Sequence, residues 1–467
     1  MKEPRALTAF LAVLMISACS VGEGGGLTPR GGAPSLLPDA SGKYIKHVVL
    51  IVQENRSVDN LFGTFPGVDG ATSGYYLKKV GGTYVKTKIT LAKKPLTGGL
   101  DINHASSAYN YACDGKDTYP KTSCDMDGFN LEGIGGNNPA STYPYQYIDP
   151  NDIKPYWAIA KQYAIGDHLF QTQGSGSFTA HQDLFAGGTA IDSTDSLIDY
   201  PNTWANWGCG EAKGTHTSLL TTAGTLLHNQ GPFPCLTYPT PTMRDLLDAK
   251  GVTWKYYTPP YPDSQDDGAL WNAPAVLTDI YNGPEWKTNV SMPETNIFDD
   301  IQNGALPAVS WITPKQANSD HPGGKGTPDN GPEWVASVVN AIGESSYWNT
   351  TAIVIVWDDW GGYYDHEPPP FFDNAGGLGF RVPILVASPY VPKNEVDHTQ
   401  YEFGSILKFI EQNFGLGSMG TTDVRAKSIV GMFAFRRKAR AFAKIPSSLN
   451  VEYFRRQPPS TVPVDSE

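Results

Sequence analysis

His47-Val48-Val49-Leu50-Ile51-Val52-Gln53-Glu54-Asn55-Arg56-Ser57 decides how the rest of the chain is read. It begins as a short, continuous apolar run and ends in an amide, a carboxylate, a second amide and a guanidinium. A run of this kind reads as a strand buried on both faces, as in a parallel sheet. Ligands of such sheets sit beyond the carboxyl ends of the strands. Glu54 and Asn55 therefore stand where a site would form. Thr351-Ala352-Ile353-Val354-Ile355-Val356-Trp357-Asp358-Asp359 repeats the design far down the chain. Two neighbouring strands so ended would gather three carboxylates and an amide oxygen. That much negative charge repels itself unless a cation is present, and hard oxygen donors favour a hard divalent metal.

Other segments supply the frame. Val252–Tyr257, Pro307–Ile312 and Val382–Ser388 read as further strands. Helices are expected from Pro155, over the glycine-closed stretch Thr242–Gly251, over Pro332–Tyr347 and over Tyr401–Asn413. Strands alternating with helices predict an α/β fold, a doubly wound and mostly parallel sheet flanked by helices. Long polar stretches interrupt it as insertions. In one of them, Tyr75–Leu77 and Thr83–Val85 predict a hairpin around Gly81-Gly82. Another, Ile191–Gly231, carries Trp204, Trp207 and Cys209.

The 467 residues carry a formal charge of −12, with 49 glycines and 37 prolines. The sequence pI of about 5.2 argues against a nucleic-acid partner. Glycine and proline at this level suit a loop-rich enzyme better than a helical scaffold. The first residues read as a targeting segment: Lys2 and Arg5, then a mostly apolar run from Ala6 to Ile16, too short to span a bilayer. Ile16-Ser17-Ala18-Cys19 resembles a bacterial lipobox, with Cys19 as the acylated residue. An ordinary signal peptide cut near Ala18 is the alternative. Residues 1–18 are thus expected to be a lipoprotein-type leader and 19–42 a flexible tether, and the chain is expected outside the cytoplasm, as a periplasmic, cell-surface or secreted protein. Setting Cys19 aside leaves Cys113, Cys124, Cys209 and Cys235. An even number in an exported chain predicts disulfides. Three pairings can be drawn, and sequence order favours Cys113 with Cys124 and Cys209 with Cys235.

Glu54-Asn55-Arg56-Ser57, followed by Asp59 and Leu61-Phe62-Gly63, resembles the ENRSFDxxFG signature of the bacterial phospholipase C/acid phosphatase phosphoesterase family, within the alkaline phosphatase superfamily. The resemblance runs from about His47 to about Phe414. It implies an alkaline-phosphatase-like catalytic domain over 43–415, with 416–467 as a tail packed on it or trailing from it. Ser177 precedes a helical pattern, and serine there is most often a plain N-cap. The resemblance changes that reading, because Ser177-Phe178-Thr179-Ala180-His181-Gln182 is similar to the family's nucleophile motif. It implies a divalent metal held by Glu54, Asn55, Ser177, Asp358 and Asp359, and phosphate contacts from His104 and His321, one of them the general acid. His181, one turn after Ser177, either faces the site or stiffens the helix start. His366 and His398 read as supporting residues, and Arg56 as part of a structural ion pair. The implied activity is metal-dependent hydrolysis of a phosphate ester or phospholipid through a phosphoserine. A surface lipoprotein that binds ligand without turnover is the rival from another class. Trp204, Trp207, Trp360, Tyr363 and Tyr364 read as packing first and as a headgroup box second.

Overall fold

The computed structural model describes residues 1 and 41–458, apart from 120, 122, 135–137, 204–205, 262–266, 324–327 and 371–376. The leader, Cys19, nearly all of the tether, Trp204 and the last nine residues lie outside them. Residues 37–467 group into one unit.

Eight strands make the central sheet: β1 (His47–Gln53), β2 (Ala164–Gly166), β3 (Trp254–Tyr257), β4 (Val290–Ser291), β5 (Val309–Ile312), β6 (Thr351–Trp357), β7 (Ile384–Ala387) and β8 (Glu395–Asp397). Their order is β4-β3-β5-β1-β6-β7-β2-β8. From β4 to β6 every pair is parallel. β7 runs antiparallel to both β6 and β2, and β8 is again parallel to β2. The two apolar runs therefore lie side by side at the centre. Every residue of β6 is buried, as is all of β1 except His47. Each fully buried Val, Ile or Leu here contributes roughly 1.5–3 kcal/mol. The register pairs His47 with Thr351 and Gln53 with Trp357. Both strands thus end at one level, and Glu54 and Asp358 leave the same edge together. β5, on the other side of β1, delivers its own following segment there; the Glu54 N–H donates to the Ser319 carbonyl at 2.7 Å.

Helices at Lys154–Gln162, Met243–Ala249, Gly331–Gly343 and Phe403–Phe414 match the expected stretches. Thr242 and Asp245 form a capping box at the start of the second. The Ser177–Ala186 helix is buried on all sides, unlike an ordinary amphipathic surface helix. Phe185 packs on Trp311 and Tyr256 with ring centroids 5.0 and 5.8 Å apart, and Trp311 Nε1 donates to the Leu184 carbonyl. These contacts fix the helix against β3 and β5.

The hairpin forms from Ser73–Val80 and Thr83–Thr90, longer than the apolar residues alone indicated. Gly81 and Gly82 have φ of 56° and 88°, the left-handed pair that a tight two-residue turn needs. Both disulfides form in the order-favoured pairing, Cys113–Cys124 and Cys209–Cys235. After residue 415 the chain returns over the Gly331–Gly343 helix. Asn340 exchanges two hydrogen bonds with the Ile445 backbone, and Phe454 packs edge-on against Trp334.

Candidate active site

The carboxyl edge of β1 and β6 is where the chemistry collects. The chain turns sharply after β1: Asn55 takes φ 61°, a left-handed conformation that asparagine accepts more readily than bulky residues. The turn is held from β6. The Asp358 carboxylate accepts from the Asn55 N–H (3.0 Å) and the Asp359 N–H (2.7 Å), and Asp359 accepts from the Gly361 N–H (2.7 Å). Gly361 has φ 61°, and a Cβ there would sit 2.2 Å from the Asn55 carbonyl oxygen. Only a glycine lets the two strand ends come this close.

Ser177, the first residue of its helix, enters from the opposite side. Its Oγ donates to Asp359 Oδ2 at 3.1 Å and lies 3.4 Å from Asn55 Oδ1. His181, one turn later, places Nε2 at 3.0 Å from Glu54 Oε1 and 3.7 Å from Asp358 Oδ2. It faces the site, among the carboxylates rather than beside the serine hydroxyl. Burial holds its pKa down at about 4, against the opposing pull of Asp358. A neutral imidazole is the form that can ligate a metal. Glu54, His181 and Asp358 offer donor atoms within 4.8 Å of one another.

His104 and His321 approach Asn55 from the third side. Their Nδ1 atoms lie 2.7 and 2.6 Å from the carbonyls of Ile102 and Pro322. Each is thereby fixed as the Nδ1–H tautomer, with Nε2 turned inward. The Asn55 amide nitrogen then donates to His104 Nε2 at 2.8 Å and reaches His321 Nε2 at 3.1 Å. In that orientation Asn55 Oδ1 lies 3.2 Å from Glu54 Oε2 and 3.3 Å from Asp358 Oδ1, with no proton between them. Rotating the amide would bring its nitrogen to the carboxylates but turn its oxygen onto two unprotonated Nε2 atoms, whereas a cation at the carboxylates would take the oxygen as a ligand and leave both imidazoles a donor. Asp358 Oδ2, buried and without a hydrogen-bond partner among the described residues, is a further oxygen directed at the same centre. The donor set fits a hard divalent ion.

Several supports were not legible in the sequence. Trp271 stacks near-parallel to both His181 and His321, with centroids 6.5 and 5.9 Å away. It follows a polar stretch and carries no motif. Trp360, next to Asp359, meets His104 edge-on at 6.3 Å. Among the described residues Arg56 does not close the expected ion pair directly. Its Nε and Nη2 donate to the Asp320 carbonyl at 2.9 and 2.7 Å, and its guanidinium lies 4.8 Å over the Tyr363 ring. The bonds to the residue before His321 make Arg56 a positioning group for that histidine. The Asp320 carboxylate accepts from Tyr156 and Trp357, and burial raises its pKa to about 6 against those bonds.

His366 bonds Asp59 and His398 bonds Asp167, each at 2.8 Å. Trp207, Trp360, Tyr363 and Tyr364 are buried packing residues. Trp207 stands edge-on to Phe178, and Tyr364 stacks on Tyr145.

A mostly parallel sheet with acidic strand ends facing a helix-borne serine defines an α/β protein with a candidate phosphoester centre, and the sequence agrees. The chain belongs to the Phosphoesterase family, whose profile matches residues 45–417. It is 25% identical over 421 residues to the non-hemolytic phospholipase C of Pseudomonas aeruginosa, covering 80% of this chain and 54% of that protein. It is 27% identical over 412 residues to the non-hemolytic phospholipase C of Burkholderia pseudomallei, covering 79% and 55%. The chain thus spans about half the length of these curated relatives. Against phospholipase C B of Mycobacterium tuberculosis it is 24% identical, covering 83% of this chain and 77% of that protein. A solved structure from the alkaline phosphatase superfamily of Vibrio parahaemolyticus aligns over 60% of this chain and 65% of that one, with TM-score 0.33 and 11% identity.

Proposed function

We propose that the chain is a metal-dependent phosphoric ester hydrolase of phospholipase C or acid phosphatase type, acting through Ser177 and a phosphoserine. The observation that carries this reading is the meeting of Ser177 Oγ with Asp359 and Asn55 at the shared edge of β1 and β6, at 3.1 and 3.4 Å. A divalent ion held by Glu54, Asn55, Ser177, Asp358 and Asp359 would neutralise phosphoryl oxygens and lower the serine pKa. His181 stands beside that set.

The chain's own residues do the rest. Ser177 Oγ bonds phosphorus as its proton leaves toward Asp359 Oδ2, and the ester P–O bond breaks. The leaving alkoxide takes a proton at Nε2 of whichever of His104 and His321 is in the imidazolium form, its Nδ1–H still held by the Ile102 or Pro322 carbonyl. Water then bonds phosphorus and gives its proton to the histidine Nε2 that released one, the P–Oγ bond breaks, and Asp359 returns its proton to Ser177 Oγ. The names of the relatives support a phospholipid substrate, and the same centre would serve a phosphomonoester. The two disulfides support an oxidising compartment, in keeping with export and with acylation of Cys19.

Initial rates of the metal-replete protein on p-nitrophenyl phosphate and on phosphatidylcholine, with a chelated control, test this reading. Chelator-sensitive release of diacylglycerol supports a phospholipase C, and a dominant monoester rate an acid phosphatase. No turnover of either favours a ligand-binding lipoprotein.

A further inference from the structure

The hairpin Ser73–Val80/Thr83–Thr90 has a composition at odds with the rest of the chain. Residues 73–94 hold Lys78, Lys79, Lys86, Lys88, Lys93 and Lys94 and no acidic residue, in a protein of net charge −12. Every residue from Lys78 to Lys86 is exposed. Among them are Val80 at 54%, Tyr84 at 47% and Val85 at 47% exposure, with Tyr75 at 44% farther down. A two-stranded ribbon solvated on both faces does not hold itself together in water, and its tip would normally be polar. Here the cross-strand pairs near the tip are Lys79 with Tyr84 and Lys78 with Val85. Each joins a cation to an apolar or aromatic side chain. Among the described residues, Lys86 pairs with Asp127 and Lys93 with Asp149, while Lys78, Lys79, Lys88 and Lys94 reach no carboxylate.

The root of the hairpin is fixed. Gly74 is buried so closely that a Cβ would meet the Tyr364 ring at 2.3 Å. Asn130 exchanges 3.0 Å hydrogen bonds with both backbone groups of Leu77. Tyr76 packs on the aromatic cluster that contains Trp360 and Tyr364. The tip is thus exposed on a root anchored in the protein.

We infer that this hairpin is a docking element for an anionic lipid surface. Lysines bracketing the tip would meet acidic headgroups. Val80 and Val85 would enter the interface, where a tyrosine such as Tyr84 sits well and lysine stems lie along the apolar layer while their heads stay wet. Nucleic acid offers the same charge but no apolar layer for the two valines. The inference goes beyond the esterase reading, which concerns Ser177, and its test reads binding without turnover.

The full chain carrying Cys19→Ser, so that no acyl group contributes, is sedimented in chelator with vesicles of phosphatidylcholine alone or mixed with phosphatidylglycerol. The expected result is preferential binding to the mixed vesicles, weakened by salt. Lys78→Gln with Lys79→Gln should weaken it roughly 30-fold, since each lysine near such a surface is worth about a factor of five. Val80→Asp with Val85→Asp should abolish it. An unchanged melting temperature in each variant separates lost docking from lost fold. Equal binding to neutral and mixed vesicles, or variants that bind like the parent, would overturn the inference.

Discussion

Replacing Gly361 by alanine adds one methyl group at the point where the ends of β1 and β6 touch. Two effects act there. The backbone sits at φ 61°, where a Cβ costs roughly 1–2 kcal/mol. The new Cβ would also lie 2.2 Å from the Asn55 carbonyl oxygen and 2.7 Å from its carbonyl carbon and Cβ. All three atoms belong to the backbone or its first side-chain atom, so no flexible side chain can swing away. Asn55 must retreat by about 1 Å to reach an ordinary contact, and a displacement of that size in a reacting centre costs on the order of 100-fold in rate. Gly415→Ala is the matched control. Gly415 has φ 63° and open space around the added Cβ, so it carries the strain without the clash. Both variants should lose stability, measured by urea unfolding. Only Gly361→Ala should lose metal affinity by calorimetric titration and turnover of p-nitrophenyl phosphate. If the two variants behave alike, Asn55 is not held in place by that close approach.

His181→Ala should weaken divalent-metal binding roughly 10–100-fold, the range for a group that supports a metal ligand; calorimetry with wild-type affinity would remove His181 from the centre. Arg56→Lys should lower kcat about 10-fold while metal affinity stays, because lysine cannot reproduce the two-pronged grip on the Asp320 carbonyl before His321. An unchanged kcat in a folded variant would discount that positioning role. His366 is half-buried among Asp59, Asp365, Asp69, Glu367 and Arg381; burial lowers its pKa, but the Asp59 bond and the Asp59 and Asp365 charges outweigh this and raise it to about 9. Its folded pKa exceeds the unfolded 6.5, so its contribution is complete below 6.5 and is lost as pH rises through about 9. Urea unfolding across that window should show a decline that His366→Asn flattens.

The central strands were legible because five apolar positions in a row in β1 (Val48–Val52) and seven apolar or β-branched ones in β6 (Thr351–Trp357), with no polar alternation, suit strands covered on both faces. Their polar ends marked Glu54, Asn55, Asp358 and Asp359 directly. Their adjacency was only a supposition until the register paired Gln53 with Trp357. The reversed direction of β7 was not legible, since Ile384–Ala387 would have the same composition whichever way it ran. Ser177 was ambiguous by itself, because a serine before a helix is usually a cap, and it took the family resemblance to single it out. The neighbourhood is made by contacts such as Trp271 beside two imidazoles and Arg56 on the Asp320 carbonyl, the latter joining residues 264 apart in the chain. Local periodicity carries no trace of them. His366 and His398 each follow an aspartate in a polar stretch, yet the carboxylates they bond, Asp59 and Asp167, come from distant segments.

Ser177 itself offers the sharpest test: the turnover of metal-replete Ser177→Ala on p-nitrophenyl phosphate, with its fold checked by thermal melting and its metal content by calorimetry. A serine nucleophile predicts a fall of roughly 10⁴–10⁶-fold, as for other enzymes stripped of theirs. A folded, metal-loaded variant that keeps near-normal turnover would contradict it and leave Ser177 as a helix cap.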